Sequence, residues 1–504
     1  MAAITLSTLL SEGLVDEVVG DGSVALSGIR HDSRRVQPGD LFVAIDGVHQ
    51  RGTDYVADAI ARGAAAVLAQ QRLELGVPTC RAGDVLLALS RISTCIYRDP
   101  TARLVAVGIT GTNGKTTVTY LLESMLKEAG ARPAVIGTVN FRGPEGESQA
   151  THTTPMADDL MRLARGFVEQ EATHLVLEVS SHALAMHRAD GIRYRVAALT
   201  NLTQDHLDFH GDFASYERAK RRLFQELDPD CSVLNLDDAL GTALARELGG
   251  KLLRCSRRED ADAEIQALYW TSDRKGLRAR LATPAGLLRL ESPLLGEHNL
   301  ENLLIALGCG FALGLDPAVM LRALGSFAGT PGRLERVADP RGVLVTVDYA
   351  HTPDALDRVL LVLRGITDRR LIVVFGCGGD RDAGKRPLMG AAAARRADLL
   401  VVTSDNPRSE PPLSIIEQIE RGVVEAGSRR INGAALARGD QGYLVEPDRR
   451  QAIARAIRAA RQGDTVLVAG KGHETVQIVG NNRNSFDDRI EARRAIEAAV
   501  REAG

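Results

Sequence analysis

The segment from Gly108 to Thr117 constrains this chain more than any other, and its sequence is Gly-Ile-Thr-Gly-Thr-Asn-Gly-Lys-Thr-Thr. An apolar run at residues 104–107 precedes it, and apolar residues with helical spacing follow it over residues 118–126. A strand, a glycine-rich loop and a helix in this order form an anion cradle, because backbone N–H groups and the positive end of the helix converge. Lys115 adds a mobile cation, and Thr116 is placed to hold Mg²⁺ beside the phosphates. The segment therefore predicts nucleotide binding.

Length and composition limit the classes of protein to which the chain can belong. Its 504 residues predict about three domains. A hydrophobic content of 44%, a charged content of 25% and a net charge of −3 are ordinary, and they indicate neither a nucleic-acid nor a membrane partner. The six cysteines lack metal-ligand spacing, and no apolar run approaches the roughly 20 residues that cross a bilayer. With no secretory signal, these features predict a cytoplasmic protein with free thiols.

Polar residues follow three further apolar segments, which lie at residues 174–179, 196–200 and 232–236. Strands that alternate with helices predict a parallel sheet, with the ligand groups collected at the carboxyl ends of its strands. Glu178 lies at such an end and is predicted to bind a metal ion, because a carboxylate leaving an apolar strand needs a partner. His206 is predicted to support magnesium rather than zinc, because the spacing of Asp205, His206, Asp208 and His210 does not match common zinc sites.

The regions on either side have α/β patterns of their own. In the first hundred residues, an apolar run predicts a strand over 41–45, and helical spacing predicts a helix over 55–69. From about residue 338, four apolar segments each run into a polar loop, at residues 343–347, 371–375, 399–402 and 465–469. This repetition predicts a doubly wound sheet with its functional residues along one edge.

Asn299 and Asn302 lie near the start of a helix predicted over 302–313. Residues three apart share a helix face, so both amides are placed to meet one planar ligand. The alternative role, capping of the helix N-terminus, needs only one of them.

Seven motifs of this chain belong together. They are, in order, Gly-Thr-Asn-Gly-Lys-Thr-Thr at 111–117, Glu-Val-Ser-Ser-His at 178–182, Thr-Asn-Leu-Thr-Gln-Asp-His at 200–206, Tyr-Glu-Arg-Ala-Lys at 216–220, Glu-His-Asn at 297–299, Gly-Arg-Leu-Glu at 332–335 and Asp-Tyr-Ala-His at 348–351. They resemble the Mur ligases, the ATP-dependent enzymes that form amide bonds in peptidoglycan precursor synthesis. The resemblance implies an α/β fold of three domains: a small N-terminal UDP-binding domain (1–103), a central P-loop domain with a parallel sheet (104–337) and a Rossmann-like, doubly wound C-terminal domain (338–504).

Two further motifs narrow the resemblance within the family. Asp-Asn-Pro-Arg at 405–408 and Gly-Lys-Gly-His-Glu at 470–474 are similar to those of members that add meso-2,6-diaminopimelate to UDP-N-acetylmuramoyl-L-alanyl-D-glutamate. The resemblance implies that ATP phosphorylates a substrate carboxylate and that an amine then displaces phosphate from the acyl phosphate. It also implies catalytic roles for Lys115, Lys220 and His206. The implied Mg²⁺ ligands are Thr116, Glu178, His206 and Lys220, the last as an N6-carboxylysine formed with CO₂.

The resemblance assigns binding residues as well. For ATP they are Gly111, Thr112, Asn113, Gly114, Lys115, Thr116, Thr117, Asn299, Asn302, Arg333 and Asp348. For the UDP-muramoyl dipeptide they are His31, Ser33, His49, Gln50, Arg51, Thr153, Thr154, Ser180 and Arg188. For diaminopimelate they are Arg381, Asp405, Asn406, Pro407, Arg408, Gly470 and Glu474. Met186 and His152 depart from the family pattern, since some relatives carry Gln and Asn there.

The sequence leaves three functions to compare. The first is the diaminopimelate-adding ligase. The second is another ligase of the superfamily, either a lysine-adding relative or a folylpolyglutamate synthase, although a folate enzyme would lack the N-terminal domain and the 405–408 motif. The third is a nucleotide-binding switch, which would not need the acidic cluster or the edge of the third domain. The key residue for the choice is Arg408, predicted to bind the far carboxylate of diaminopimelate; the alternative is that it pairs with Glu410 on the surface.

Overall fold

The structure is a computed structural model that describes residues 4–47, 50–150 and 152–503. The chain divides into two compact units. One lies within Met1–Leu268, Arg280–Leu288 and Glu301–Leu324, and the other within Tyr269–Ala279, Arg289–Leu300 and Gly325–Gly504. Strands and helices alternate in both units, which is the predicted α/β class. Among the described residues, no helix is long and apolar enough to span a membrane.

The N-terminal part of the first unit is built on a five-stranded sheet. The strands of this part of the chain are β1 (Ile4–Thr5), β2 (Glu17–Val19), β3 (Ala25–Leu26), β4 (Gly28–Arg30), β5 (Asp40–Val43), β6 (Ala66–Ala69) and β7 (Thr79–Arg81). Its helices are α1 (Leu6–Ser11), α2 (Val56–Ala61) and α3 (Val85–Ile96). The sheet has the order β2-β7-β6-β5-β4, while β1 and β3 pair separately. Strands β4 to β7 are mutually parallel, and β2 is antiparallel to β7.

The helix predicted over residues 55–69 is wrong in its second half. Helix α2 ends at Ala61, and Ala66–Ala69 forms β6, a fully buried strand between β5 and β7. The helix stops because Gly63 adopts a left-handed conformation with φ of +98°, and its N–H bonds to the carbonyl of Ile60. A glycine in this conformation commonly ends a helix. Gly63 therefore marked the end of α2 in the sequence, although the apolar spacing continues past it.

The first unit also contains the predicted parallel sheet, while the strands and helices between residues 265 and 325 are divided between the two units. The strands that follow are β8 (Val105–Thr110), β9 (Pro133–Ile136), β10 (Asn140–Gly143), β11 (Gly146–Gln149), β12 (His174–Glu178), β13 (Tyr194–Leu199), β14 (Cys231–Asn235), β15 (Lys251–Ser256), β16 (Ile265–Asp273), β17 (Gly276–Thr283) and β18 (Gly286–Ser292). The helices are α4 (Lys115–Glu128), α5 (Ala157–Glu169), α6 (Ser181–Ala185), α7 (Leu207–His210), α8 (Phe213–Gln225), α9 (Ala239–Glu247), α10 (Glu297–Ala312) and α11 (Pro317–Gly325). Strands β9-β12-β8-β13-β14-β15 lie side by side and parallel, and four of them, β8, β12, β13 and β14, were predicted from the apolar segments.

The glycine loop is shorter than the sequence suggested. Gly108, Ile109 and Thr110 belong to β8 and pair with strands β12 and β13, so the loop begins at Gly111. Gly108 is small for a packing reason, since a Cβ there would press against the ring of Tyr194. Ile109 stands where a strict Walker-type loop has its first glycine, and it lies inside strand β8.

The second unit contains the doubly wound sheet predicted from the four strand-and-loop repeats. Its strands are β19 (Glu335–Val337), β20 (Leu344–Asp348), β21 (Leu371–Phe375), β22 (Leu399–Val402), β23 (Gly442–Val445), β24 (Thr465–Ala469), β25 (Val476–Val479) and β26 (Asn482–Ser485). The helices are α12 (Pro353–Ile366), α13 (Lys385–Arg396), α14 (Pro412–Glu425), α15 (Gly433–Arg438), α16 (Arg449–Ala459) and α17 (Asp488–Ala503). Six of these strands form the main sheet in the order β19-β20-β24-β21-β22-β23, and all neighbours in it are parallel except β19 and β20. Strands β25 and β26 pair separately. The four predicted loops therefore emerge from adjacent strands at one edge.

Candidate active site

The loop between β8 and α4 has the backbone conformation that a phosphate cradle needs. Gly111 has φ of +144° and Gly114 has φ of +87°, a region that L side chains rarely adopt. A Cβ at Gly111 would collide with Thr200, and one at Gly114 would collide with the side-chain oxygen of Asn302. The loop is therefore closely packed on both sides. The other predicted loop residues are also placed here: Thr112 and Asn113 bond to the segment after β13, and Thr117 is buried in the first turn of α4.

Two lysine ammonium groups meet at one carbonyl oxygen of this loop. Lys115 Nζ donates to the carbonyl of Gly111 at 2.8 Å and to that of Thr112 at 2.9 Å. Lys220 Nζ, on α8, donates to the same Gly111 oxygen at 2.8 Å and lies 4.7 Å from the ring centroid of Tyr216. Lys220 is 1% exposed. Its burial, together with the charge of Lys115, lowers the pKa of Lys220 well below the usual value for lysine.

The predicted metal-binding carboxylate lies beside the loop. Glu178, at the end of β12, is buried and accepts a hydrogen bond from Thr116 Oγ1 at 3.0 Å. Thr138, which the sequence analysis did not single out, donates to Glu178 from its N–H at 3.0 Å and from its hydroxyl at 2.9 Å. A carboxylate and a hydroxyl fit Mg²⁺, which takes few protein ligands and fills its octahedron with phosphate oxygens and water.

His206 lies at the end of the segment that follows β13. It has a left-handed backbone with φ of 51°, its side chain is half exposed, and its Nε2 lies 3.4 Å from a carboxylate oxygen of Asp205. Its ring centroid is 4.8 Å from that of His182. Burial and the nearby charges of His206 and His210 lower the pKa of His182 to about 4, so His182 is neutral at physiological pH.

A cavity of about 600 Å³ lies in the N-terminal part of the first unit. It is lined by His31, Asp32, Ser33, Arg34, Phe42, Ile45, Gln50, Gly52, Tyr55 and Asp58. Three of the predicted UDP-site residues, His31, Ser33 and Gln50, are thus brought together, whereas Arg51 is exposed. His49 lies outside the described residues. Arg34 and Tyr55 were not predicted, and the hydroxyl of Tyr55 donates to Gln50 Oε1 at 2.5 Å.

His31 connects this cavity to helix α5. Its Nδ1 lies 2.8 Å from both carboxylate oxygens of Asp158, and its backbone N–H donates to Asp158 at 3.2 Å. Burial alone would lower the pKa of His31, but the hydrogen bond and charge of Asp158, with smaller contributions from Asp159 and Asp32, raise it overall. Because the ion pair occupies Nδ1, only Nε2 can bond to a ligand.

The residues predicted to bind the muramoyl peptide form one cluster next to Glu178. Thr154 Oγ1 donates to the carbonyl of Glu178 at 2.7 Å and accepts from the N–H of Ser180 at 3.1 Å. Arg188 donates to the carbonyl of Thr154 at 3.1 Å. The Thr153 hydroxyl lies 3.1 Å from that of Thr138. Both departures from the family pattern lie near Arg188. The sulfur of Met186 accepts a hydrogen bond from Arg188 at 3.1 Å. Burial is the main cause that lowers the pKa of His152, and the charge of Arg188 lowers it further.

In the second unit, the predicted nucleotide residues gather at the end of β20. Asp348 is buried and accepts from the N–H of Leu334 at 2.7 Å and of Ala350 at 2.8 Å. Burial raises the pKa of Asp348. The guanidinium of Arg333 lies 5.1 Å from the ring centroid of Tyr349, and the ring of His473 is 4.9 Å from Tyr349 on centroids. Separately, Asn299 donates to the carbonyl of Leu295 at 2.8 Å in α10, which begins five residues earlier than predicted, at Glu297.

The predicted amino-acid residues lie on neighbouring loops of this sheet. Asp405, Asn406 and Pro407 are buried directly after β22, and Asn406 Nδ2 donates to Glu474 Oε2 at 2.9 Å. Gly470 is close to the carboxylate of Asp405. Arg408 has φ of 52° and donates to the carbonyl of Gly379 at 2.7 Å.

The alternative partner of Arg408 is occupied. Glu410 forms a bidentate pair with Arg386, with both N–O distances at 2.8 Å, so the alternative that Arg408 pairs with Glu410 is wrong. Arg381 is exposed and donates to the carbonyl of Asp380 at 3.3 Å, and both it and Arg408 lie close to Gly378. The guanidinium of Arg408 and the Cγ of Arg381 therefore both lie beside Gly378.

The models of three Mur ligase domains match this chain in order. The Mur ligase family, catalytic domain, matches residues 25–99; the Mur ligase middle domain matches residues 109–310; and the Mur ligase, glutamate ligase domain, matches residues 332–472. A Geobacter metallireducens protein named UDP-N-acetylmuramoyl-L-alanyl-D-glutamate–2,6-diaminopimelate ligase is 42% identical over 497 residues, with 96% of each chain covered. The chain belongs to the Mur ligase family.

Solved structures support this Mur ligase fold over the whole chain. A structure with the same enzyme name has a TM-score of 0.72 and 33% identity, and the match covers 99% of this chain and 100% of that one. A folylpolyglutamate synthase of Mycobacterium tuberculosis, with a TM-score of 0.58 and 20% identity, covers 76% of this chain and 92% of its own, which shows a shared fold alone. The predicted three-domain α/β class is confirmed, while the boundaries at 103/104 and 337/338 remain predictions.

Besides Arg34 and Tyr55, two further polar residues of this Mur ligase site were not predicted from the sequence. Thr138 follows Gly137 directly after β9. The segment that forms β9 is apolar and runs into a polar residue, as the predicted strands do. Lys471 lies inside the Gly-Lys-Gly-His-Glu motif, and its side chain is fully buried beside Asn406 and Glu474. Thr138 was open to the same argument as Glu178. A lysine between two glycines gave no sign of burial.

Proposed function

We propose that this Mur ligase joins meso-2,6-diaminopimelate to the D-glutamate of UDP-N-acetylmuramoyl-L-alanyl-D-glutamate, with cleavage of ATP to ADP and phosphate. The observation that carries the proposal is the loop at Asp405–Arg408, where Arg408 forms no ion pair with a carboxylate among the described residues and donates to the carbonyl of Gly379. A guanidinium matches a carboxylate as a two-pronged pair, and lysine has no second carboxylate to offer. We place the reaction in the cytoplasm.

The first step activates the substrate carboxylate, which is a poor acyl donor because its leaving group would be oxide. The γ-phosphoryl group of ATP is transferred to it, and ADP leaves. Lys115, Gly111 and Gly114 bind and orient the phosphates, and Thr116 and Glu178 would hold Mg²⁺, which neutralises charge on the phosphate oxygens when bound. Asn299, Asn302, Arg333 and Asp348 are assigned to the adenine, phosphate and ribose groups. In the second step, the amine attacks the acyl carbon and phosphate leaves.

Lys220 is proposed to act as a carbamate, with His206 supporting the metal site. Carbamylation requires the neutral amine: its lone pair attacks the carbon of CO₂, an N–C bond forms and one proton is released. The lowered pKa of Lys220 favours that neutral form. The product is an anion in place of a cation, and an anion at this position would hold a second Mg²⁺.

The UDP-muramoyl dipeptide is assigned to two places. The cavity with His31, Ser33 and Gln50 would take the UDP end, together with His49 and Arg51, and Thr153, Thr154, Ser180 and Arg188 would take the muramoyl peptide. The cavity volume of about 600 Å³ is in the range of small-ligand sites. When His31 is protonated, its Nε2–H can donate to a diphosphate, and the guanidinium of Arg34, which pairs with Asp32, also lines the cavity.

An amino-acid panel tests the proposed function. Purified enzyme with ATP, Mg²⁺ and UDP-muramoyl dipeptide should release ADP rapidly with meso-diaminopimelate and slowly with L-lysine. The measurement is coupled ADP release, with omission of either acceptor or amino acid as the control for a nucleotide switch. Equal rates with lysine would favour the lysine-adding relative, and ADP release that is independent of both substrates would contradict a ligase.

His31 gives the dipeptide site a predicted pH dependence. Its pKa is raised above the ordinary value of 6.5, so the imidazolium is fully present below that value and is lost as the pH rises through the raised pKa. We expect the Kd for the UDP-muramoyl dipeptide, measured by calorimetry without ATP, to increase several-fold over that rise. The His31→Gln variant should remove the dependence, while Ser33→Ala, at the same cavity, should keep it. An unchanged pH profile in His31→Gln would contradict the assignment.

A further inference from the structure

Lys471 is a fully buried cation with no role in the steps above. It lies in the loop after β24 between Gly470, with φ of +118°, and Gly472, with φ of +53°. Its side chain is 0% exposed. Nζ donates to the carbonyl of Val476 at 2.7 Å, to Asn406 Oδ1 at 3.1 Å and to Glu474 Oε2 at 3.2 Å. An ammonium has three N–H groups, so all three are used.

These contacts fix which way the amide of Asn406 points. The groups that face its Oδ1 are Lys471 Nζ and the backbone N–H of Ile478 at 3.0 Å, and both can only donate. The atom between them must therefore be the oxygen, and both of its lone pairs are occupied. On the other side, Nδ2 gives one N–H to Glu474 at 2.9 Å. One N–H of Asn406 remains, so this amide can only donate to a ligand.

The neighbouring carboxylates have the opposite character. Glu474 Oε2 already accepts from Asn406 and Lys471, which leaves Oε1 to accept from a ligand. Asp405 Oδ1 is buried without a hydrogen bond in the part of the chain that the structure describes, and it lies 3.6 Å from Lys471 Nζ. A donor beside two acceptors suits the carboxylate and the ammonium of one amino-acid centre. If the amino acid binds here, Asn406 can donate to its carboxylate and cannot accept from its amine.

We propose that Lys471 is a positioning residue that sets this donor and acceptor pattern for the amino-acid substrate. It acts through Asn406 and Glu474 and does not itself touch the substrate. Without Lys471, the Oδ1 of Asn406 loses one of the two donors that fix its orientation. Asp405 and Glu474 also lose the cation that lies close to both carboxylates. The inference rests on the proposed function, because it assumes that the amino acid binds at this loop.

The test is a split of Michaelis constants in Lys471→Met. We expect the KM for meso-diaminopimelate to rise about 10- to 100-fold, while the KM values for ATP and the UDP-muramoyl dipeptide stay within about threefold. The matched control is Arg370→Met, which breaks another buried ion pair, with Asp464 at 2.6 Å, at the opposite end of β24. That variant should lose thermal stability with no selective change in the KM for the amino acid.

A double-mutant cycle with Asn406→Ala separates positioning from general stability. If Lys471 acts through Asn406 as well as Glu474, Lys471→Met should raise the KM clearly less in the Asn406→Ala background than in the wild-type background. Fully additive effects, an unchanged KM in Lys471→Met, or a parallel rise of all three KM values would each overturn the inference. If Lys471→Met does not fold, Lys471→Gln retains a donor and is judged by the same criteria. If the wild-type enzyme does not ligate meso-diaminopimelate, the proposed function is overturned. If the wild-type enzyme is active but the variants show additive effects, an unchanged KM or a parallel rise of all three KM values, only the role of Lys471 is overturned.

Discussion

The Lys220→Ala variant is expected to lose at least about 1000-fold in kcat while remaining folded. Lys220 is buried, and within the described ranges its Nζ makes one hydrogen bond, to the Gly111 carbonyl. As a carbamate it would present two oxygens to a metal ion at the point where negative charge accumulates in both reaction steps. Alanine removes that anion. A small carboxylic acid added at high concentration can occupy the space and should restore part of the activity.

The matched variant for this experiment is Lys220→Arg, which retains a cation but cannot form a carbamate. It should be inactive, and the carboxylic acid should not rescue it, because the guanidinium fills the space. Carbon-13 NMR of wild-type enzyme equilibrated with labelled CO₂ should give one carbamate signal that is missing in both variants. The proposed role would be contradicted by full activity in Lys220→Arg, or by enzyme that is active in the thorough absence of CO₂.

The Arg408→Ala variant should lose both activity and selectivity. We expect kcat/KM for meso-diaminopimelate to fall about 100- to 1000-fold, because the far carboxylate is then desolvated without its partner. The rate with L-lysine, which is already low in the wild-type enzyme, should change far less. The ratio of the two kcat/KM values is the measurement, and it should collapse to within about tenfold.

Two control variants sharpen this prediction. Arg408→Lys keeps the charge and loses the two-pronged geometry, so it should recover only part of the selectivity. Arg381→Ala removes the guanidinium of an exposed side chain whose Cγ lies near Gly378, and its effect measures how far a second cation contributes. Arg408→Ala with an unchanged preference for meso-diaminopimelate would assign the carboxylate to another residue.

Much of the fold could be predicted because its signals are local. Apolar runs that end in polar residues gave β12, β14, β21 and β24 to within about a residue at each end, since a buried parallel strand must be apolar throughout. The helix predicted over residues 55–69 failed because the apolar spacing continued through Gly63 into a strand. Helical and buried-strand patterns are hard to separate over such short runs.

The site divides along a similar line. Motif residues whose chemistry is local, such as Gly111, Lys115 and Thr116, lie where the sequence indicated. Thr138 and Lys471 could not be assigned their contacts, because each meets its partner across a loop from another strand. The orientation of the Asn406 amide depends on three separate segments, and only their packing shows that it must donate.

The carbonyl oxygen of Gly111 has a thermodynamic consequence for the enzyme. It accepts from both Lys115 and Lys220, so a change of charge on either lysine alters the free energy of the other. In the proposed mechanism, nucleotide phosphate binds at one of them and CO₂ reacts at the other. Thermodynamic linkage then requires reciprocity: the factor by which dissolved CO₂ changes the affinity for ATP equals the factor by which ATP changes the affinity of Lys220 for CO₂.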